Sequence, residues 1–201
     1  MAEKHENLSF DEERRDLICD LADTLRELDN PVTAEEYLRI EIKRRDENCS
    51  PSLSGRGRLE LSLAEALFAQ SRFGEVEQLC LAVQSYPSLF KFEKLRLHVT
   101  LAKLCHLASD YNGASRHWAD AMVAVSKYPN ENCATRIIVL SVCDILKRQS
   151  APSSNDMLLD QSQQHLRHLD AREKPGGFRC WIAGMRHWAE YLSRDISTSR
   201  L

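Results

Sequence analysis

Residues Leu59 to Pro87 read LELSLAEALFAQSRFGEVEQLCLAVQSYP, and this stretch decides the fold class. In its first half Leu59, Leu63, Ala64, Leu67 and Phe68 recur at helical spacing, one apolar stripe on a polar background. Small Ala64 and Ala66 leave room for a neighbouring helix to come close. Ser71-Arg72-Phe73-Gly74 interrupts the stripe, with Gly74 supplying backbone freedom at the break. A second stripe follows in Val76, Leu79, Cys80 and Val83, and Pro87 stops it. Two amphipathic helices joined by so short a turn lie antiparallel. Each keeps an apolar flank, so the pair needs neighbours.

The neighbours are visible in the chain. Leu63-Ala64 opens a pattern that continues through Leu67, Phe73, Val76 and Cys80. Moved forward by 38 residues, Leu101-Ala102 opens Cys105, Tyr111, Ala114, Trp118 and Ala121. Moved back by 42, Leu21-Ala22 opens Leu25, Ala34 and Leu38. A unit recurring at this period is an internal repeat of helical hairpins.

The strings AEEYLRIEIKRR (Ala34 to Arg45), LAEALFAQSRFGEVEQL (Leu63 to Leu79) and LAKLCHLASDYNGA (Leu101 to Ala114) resemble the tetratricopeptide repeat family, most closely its longer-period, kinesin-light-chain-like branch. The resemblance covers roughly residues 10 to 149. It implies an all-α fold, antiparallel hairpins stacked as a short right-handed α-solenoid. It also implies that the first helix of each hairpin lines a concave groove. Counted from the Leu-Ala step, that surface carries Asp16, Asp20, Asp23, Arg58, Ser62, Glu65, Arg96, Thr100 and Lys103. Relatives that clamp a peptide backbone often have asparagine just before the step, where this chain has Asp20, Ser62 and Thr100.

The whole layout comes to about nine helices. A flexible tail over 1–9 precedes a capping box at Ser9 and Glu12, and a helix to about Leu28 carries Leu17, Ile18, Leu21, Ala22, Leu25 and Leu28. Thr33 with Glu36 is a second capping box. A single repeat domain spans 10–194, with hairpins near 10–48, 56–87, 90–128 and 131–171 and a capping helix over 178–194, and a tail follows over 195–201. The linkers are NCSPSLSGRG (48–57), where Ser50-Pro51 is a phosphorylation candidate, and SAPSSN (150–155). All six prolines fall between expected helices. The capping helix has Trp181, Met185 and Trp188 on one face, an alternative docking surface should they be exposed.

Charge is unevenly placed. Residues 1–48 hold 8 Lys/Arg against 15 Asp/Glu, a net of -7 that the rest of the chain offsets to an overall -3. No dense basic stripe points to nucleic acid, and no apolar run is long enough for membrane insertion. Seven cysteines at irregular spacing, behind a polar first ten residues, suit a reducing, cytoplasmic setting without structural disulfides. The final Ser199-Arg200-Leu201 resembles a peroxisomal address, the alternative location.

Chemistry-bearing patterns are sparse. His165 and His168 share a helix face, with Asp170 and His187 as further donors, but a zinc site needs three or four converging ligands, and these read as surface histidines. Adjacent Cys105 and His106 point about 100° apart on a helix, the wrong geometry for a nucleophile and its base. No phosphate-binding glycine loop or paired-cysteine knuckle occurs. The expectation is therefore a non-enzymatic scaffold without cofactor or metal, holding a protein or peptide partner. The alternatives are a metal- or thiol-dependent enzyme and an oligomerisation or capping element of a larger scaffold.

Overall fold

A computed structural model describes residues 2–48 and 55–125, together with the helical residues Ile138, Ser141, Val142, Ile145, Trp188 and Tyr191. Six helices make up the continuous segments: α1 (Ala2–Glu27), α2 (Pro31–Asn48), α3 (Arg56–Ala69), α4 (Phe73–Gln84), α5 (Lys91–Leu107) and α6 (Tyr111–Val125). No strand occurs among the described residues, so the all-α expectation holds there. Of the helices expected beyond 125 only the six residues just named are described, and Ser50-Pro51, Trp181, Met185, the histidines at 165 and 168, and the C-terminal tripeptide lie outside the described residues. Among the described residues no helix is long and apolar enough to cross a membrane.

The three hairpins turn in the same way. Asp29, Ser71 and Ser109 each take a left-handed backbone, with φ of 61°, 60° and 60°. At each turn the next residue's N–H reaches back five residues: Asn30 to the Leu25 carbonyl, Arg72 to Leu67, Asp110 to Cys105. The left-handed residue itself donates three residues back, to Arg26, Phe68 and His106. These paired bonds satisfy carbonyls that a helix end leaves open. The turns stand 42 and 38 residues apart, the same two shifts that relate the Leu-Ala steps. The period read from apolar residues is thus also a period of backbone geometry.

Several local details differ from the sequence expectation. Ser71, not Gly74, carries the turn's special conformation; Gly74 lies in the first turn of α4 with open space around its missing Cβ. Replacing Gly74 by Ala is therefore expected to raise stability by about 0.5–1 kcal/mol, because it only removes backbone freedom from the unfolded chain. A higher denaturation midpoint at unchanged slope is the expected readout; a lower midpoint would refute the helical placement. α2 starts at Pro31, and the Thr33 N–H donates to the Asn30 side-chain oxygen, so the cap is Asn30 rather than Thr33. Proline suits that first position because its missing N–H has no partner to lose. α1 begins at Ala2, ahead of the expected cap at Ser9, since the intervening residues contain neither glycine nor proline to stop a helix.

The chain divides into two units, residues 1–93 and 94–201. In the first, α1 packs on α2 and α3, α2 on α3, and α3 on α4. α3 is thus flanked by three helices, and every residue from Leu59 to Leu67 is buried. α1 turns Cys19, Ala22, Asp23 and Arg26 inward, spaced three and four apart, and leaves Leu17 and Leu28 exposed, with Leu21 partly so. Of the apolar residues expected on this helix, Ala22 is buried, Ile18 and Leu25 are half-buried, and Leu17, Leu21 and Leu28 are exposed. Glu41 of α2 is buried, with Arg14 at 2.9 Å and Arg44 at 2.7 Å. Burial pushes its carboxyl up, but the hydrogen bonds from Arg44 and Arg14 outweigh this and hold it below the ordinary value. Glu35 is held down in the same way, burial being offset by Arg39, Gln70 and Arg72. Arg72 grips Glu35 of α2 at 2.7 Å and Glu75 of α4 at 2.7 Å, tying the two hairpins together where Asn30 and Asp110 instead cap their helices.

In the second unit α5 and α6 meet around their turn, where the His106 and Tyr111 rings lie edge to face at 5.9 Å. Trp118 is fully buried, and Ile138 and Ile145 are buried in the same unit. Equivalent positions of the three hairpins share their burial. Ala22, Ala64 and Ala102 are completely buried, as are Leu38, Cys80 and Trp118. Cys19 and Cys80 are buried thiols and Cys105 is a half-buried one.

Candidate functional site

The residues expected along the groove fall on three register positions of the first helices: Asp16, Arg58 and Arg96; Asp20, Ser62 and Thr100; Asp23, Glu65 and Lys103. Helical spacing places the three positions of each helix along one face. All nine residues are polar, although the neighbouring steps at Cys19, Leu61 and Val99 or at Ala22, Ala64 and Ala102 are apolar and buried.

The structure brings the first-unit members together in two clusters. Arg58 of α3 reaches across to α1, 2.8 Å from Asp16 and 3.1 Å from Asp20. Arg15 also holds Asp16, at 2.8 Å. This cluster is open to solvent, the Arg58 side chain being 27% exposed and Asp20 51%. The second cluster is closed. Arg26 bonds Asp23 one turn before it on α1, and Glu65 on α3 at 2.7 Å, with all three side chains buried.

Exposure is where the expectation needs correcting. Asp23, Ser62, Glu65, Arg96, Thr100 and Lys103 are all buried; only Asp16, Asp20 and Arg58 reach solvent. For the first-unit members the cause is tertiary: α3 is covered on three sides, so polar residues on its face are enclosed with the apolar ones. In the second unit the Thr100 hydroxyl donates back to the Arg96 carbonyl at 2.9 Å. Arg26 was missed by sequence reading. Its signal was available, since it follows Asp23 by three residues, the spacing at which helix side chains meet.

Three atoms of this face have unused hydrogen-bonding capacity. Arg26 Nε, Arg58 Nε and Ser62 Oγ are buried without a partner. Unpaired buried polar atoms are uncommon and costly.

The alternative docking face is corrected too. Trp188 is buried, its indole N–H donating to the Ser141 hydroxyl at 2.8 Å and its ring stacked on Tyr191 at 4.8 Å. It also lies 6.2 Å from the Trp118 ring and 5.2 Å from His106. Trp181 and Met185 lie outside the described residues. Large apolar residues exposed on α1 are Phe10, Leu17 and Leu21, with Leu28 in the turn that follows. No family model, curated protein or solved structure matches this chain.

Proposed function

We propose that this protein is a non-enzymatic interaction scaffold, a tetratricopeptide-like solenoid of helical hairpins that holds a partner segment at the solvent-reaching charges of α1 and α3. The observation that carries this reading is the charged cluster of Asp16, Asp20 and Arg58, which reaches solvent on a row whose other polar members are buried. Enclosing charged groups costs several kcal/mol per ion before compensation, at order of magnitude, so a face serving packing alone is more stably built from apolar residues. The members of the row that do reach solvent, Asp16, Asp20 and Arg58, suit recognition of another chain.

The entry point is the open cluster. Exposed ion pairs contribute about 1 kcal/mol or less, so exchanging Asp16 or Asp20 for a partner's carboxylate on Arg58 costs little. The released aspartates then receive the partner's cations. The preferred segment carries both signs, acidic where it meets Arg58 and basic where it meets Asp16 and Asp20.

Selection of random peptides on the full chain tests this. Selected peptides are expected to carry both charges, and Arg58→Glu is expected to weaken them at least about tenfold and to flatten their salt dependence. Peptides that bind Arg58→Glu and Asp20→Lys at undiminished affinity would overturn the reading. Loss on Leu17→Glu alone would move the contact to the exposed apolar residues of α1 and reject the polar row.

A further inference from the structure

The hairpin of α5 and α6 brings two histidines together that are far apart in sequence. His98 lies in the middle of α5 and His117 in α6, and their Nδ1 atoms are 3.4 Å apart. The rings are tilted, with centroids 5.7 Å apart. Asp120, one helical turn after His117, places a carboxylate oxygen 3.7 Å from His98 Nδ1. One donor atom from each of the three residues lies within 4.8 Å of the others.

The separation of the two imidazole nitrogens fits a shared cation, and the Asp120 oxygen stands somewhat wider, on an exposed side chain. An N–H···N bond of 3.4 Å is long, whereas ligands about 2.0–2.1 Å from a tetrahedral zinc stand about 3.3–3.4 Å from one another. Burial lowers the His98 imidazole below its ordinary value, with Asp120 opposing and Lys94 assisting. His117 is lowered by burial first and then by His98 and Arg116, against Asp120 and Asp110. Neutral imidazoles carry the lone pairs that a metal takes. Among the surrounding charges Asp120 and Asp110 favour a cation, and Lys94 and Arg116 oppose it.

We propose that His98, His117 and Asp120 form a zinc-class divalent metal site that ties α5 to α6. Two imidazole nitrogens and one carboxylate select zinc over the oxygen-preferring calcium and magnesium. Water completes the tetrahedron, since the three protein donors leave one position open. The partly exposed Asp120 gives the metal its route in; its side chain is 58% exposed against 22% for His98.

The test uses the full chain, stripped with chelator and returned to metal-free buffer. Calorimetry with Zn²⁺ is expected to show one ion per chain, and Co²⁺ as a probe is expected to give the visible absorption of a tetrahedral site. Zinc is expected to raise the thermal midpoint, as any ligand of the folded state does. Asp120→Asn, a change at an exposed side chain, and the double variant His98→Gln/His117→Gln are each expected to weaken Zn²⁺ at least about tenfold. The double variant His165→Gln/His168→Gln is expected to bind as the parent does. Absence of saturable zinc binding by the parent chain would overturn the proposal. So would parental affinity in Asp120→Asn and His98→Gln/His117→Gln, or loss of zinc in His165→Gln/His168→Gln.

Discussion

Replacing Arg26 by Met is expected to lower the unfolding free energy by about 3–5 kcal/mol, the usual result of breaking a buried ion pair from one side. Arg26 is the cation that Asp23 and Glu65 share, and all three side chains are buried. Met matches its length and keeps much of the packing of its stem, so the loss reports the charge. Asp23 and Glu65 then keep their burial without the guanidinium between them. The triple change Asp23→Leu/Arg26→Met/Glu65→Leu is expected to be milder than Arg26→Met alone, because it removes the buried carboxylates together with their shared cation. Denaturant midpoints at equal slope give the comparison. An Arg26→Met midpoint equal to the parent's would show that the three charges do not form a closed network in solution.

Trp118→Ala is expected to cost about 3–5 kcal/mol, the range for deleting a buried aromatic side chain. Trp118 has no exposed surface and heads the largest fully buried side chains among the described residues. Its indole N–H has no hydrogen-bond partner, so its contribution is packing. Trp118→Phe is therefore expected to cost much less than Trp118→Ala, since no hydrogen bond is lost and most of the ring volume remains. Equal losses in the two variants would assign the role to the indole nitrogen instead of the ring. Trp188 makes the contrast useful, because its N–H does bond, to Ser141.

The hairpins were legible because their signals are local. Apolar spacing gave α3 and α4 nearly to the residue, and the shifts of 42 and 38 recurred in the backbone turns at Asp29, Ser71 and Ser109. Caps were less legible. Thr33 and Ser9 both looked like N-caps, but a capping pattern states only that a side chain can cap. Where the chain turns is decided by Pro31 and by the left-handed residue before Asn30. The polar row was readable as a set of residues, and its burial was not. Glu65 and Asp20 look alike on paper; one sits on a helix covered by three others and the other on the open side of α1.

The sequence by itself determined helix, turn and period, since each follows from spacings of a few residues and from backbone preferences within one turn of chain. Only the tertiary structure decided which side of α1 faces inward, sparing Leu17 and Leu28 and enclosing Asp23 and Arg26. It also brought His98 to His117, nineteen residues apart, by folding α6 back on α5. A helix offers several faces that its own sequence ranks almost equally, and the neighbour that arrives chooses among them. Pairings across a hairpin depend on rotation of both helices, a quantity that no single stretch of sequence contains.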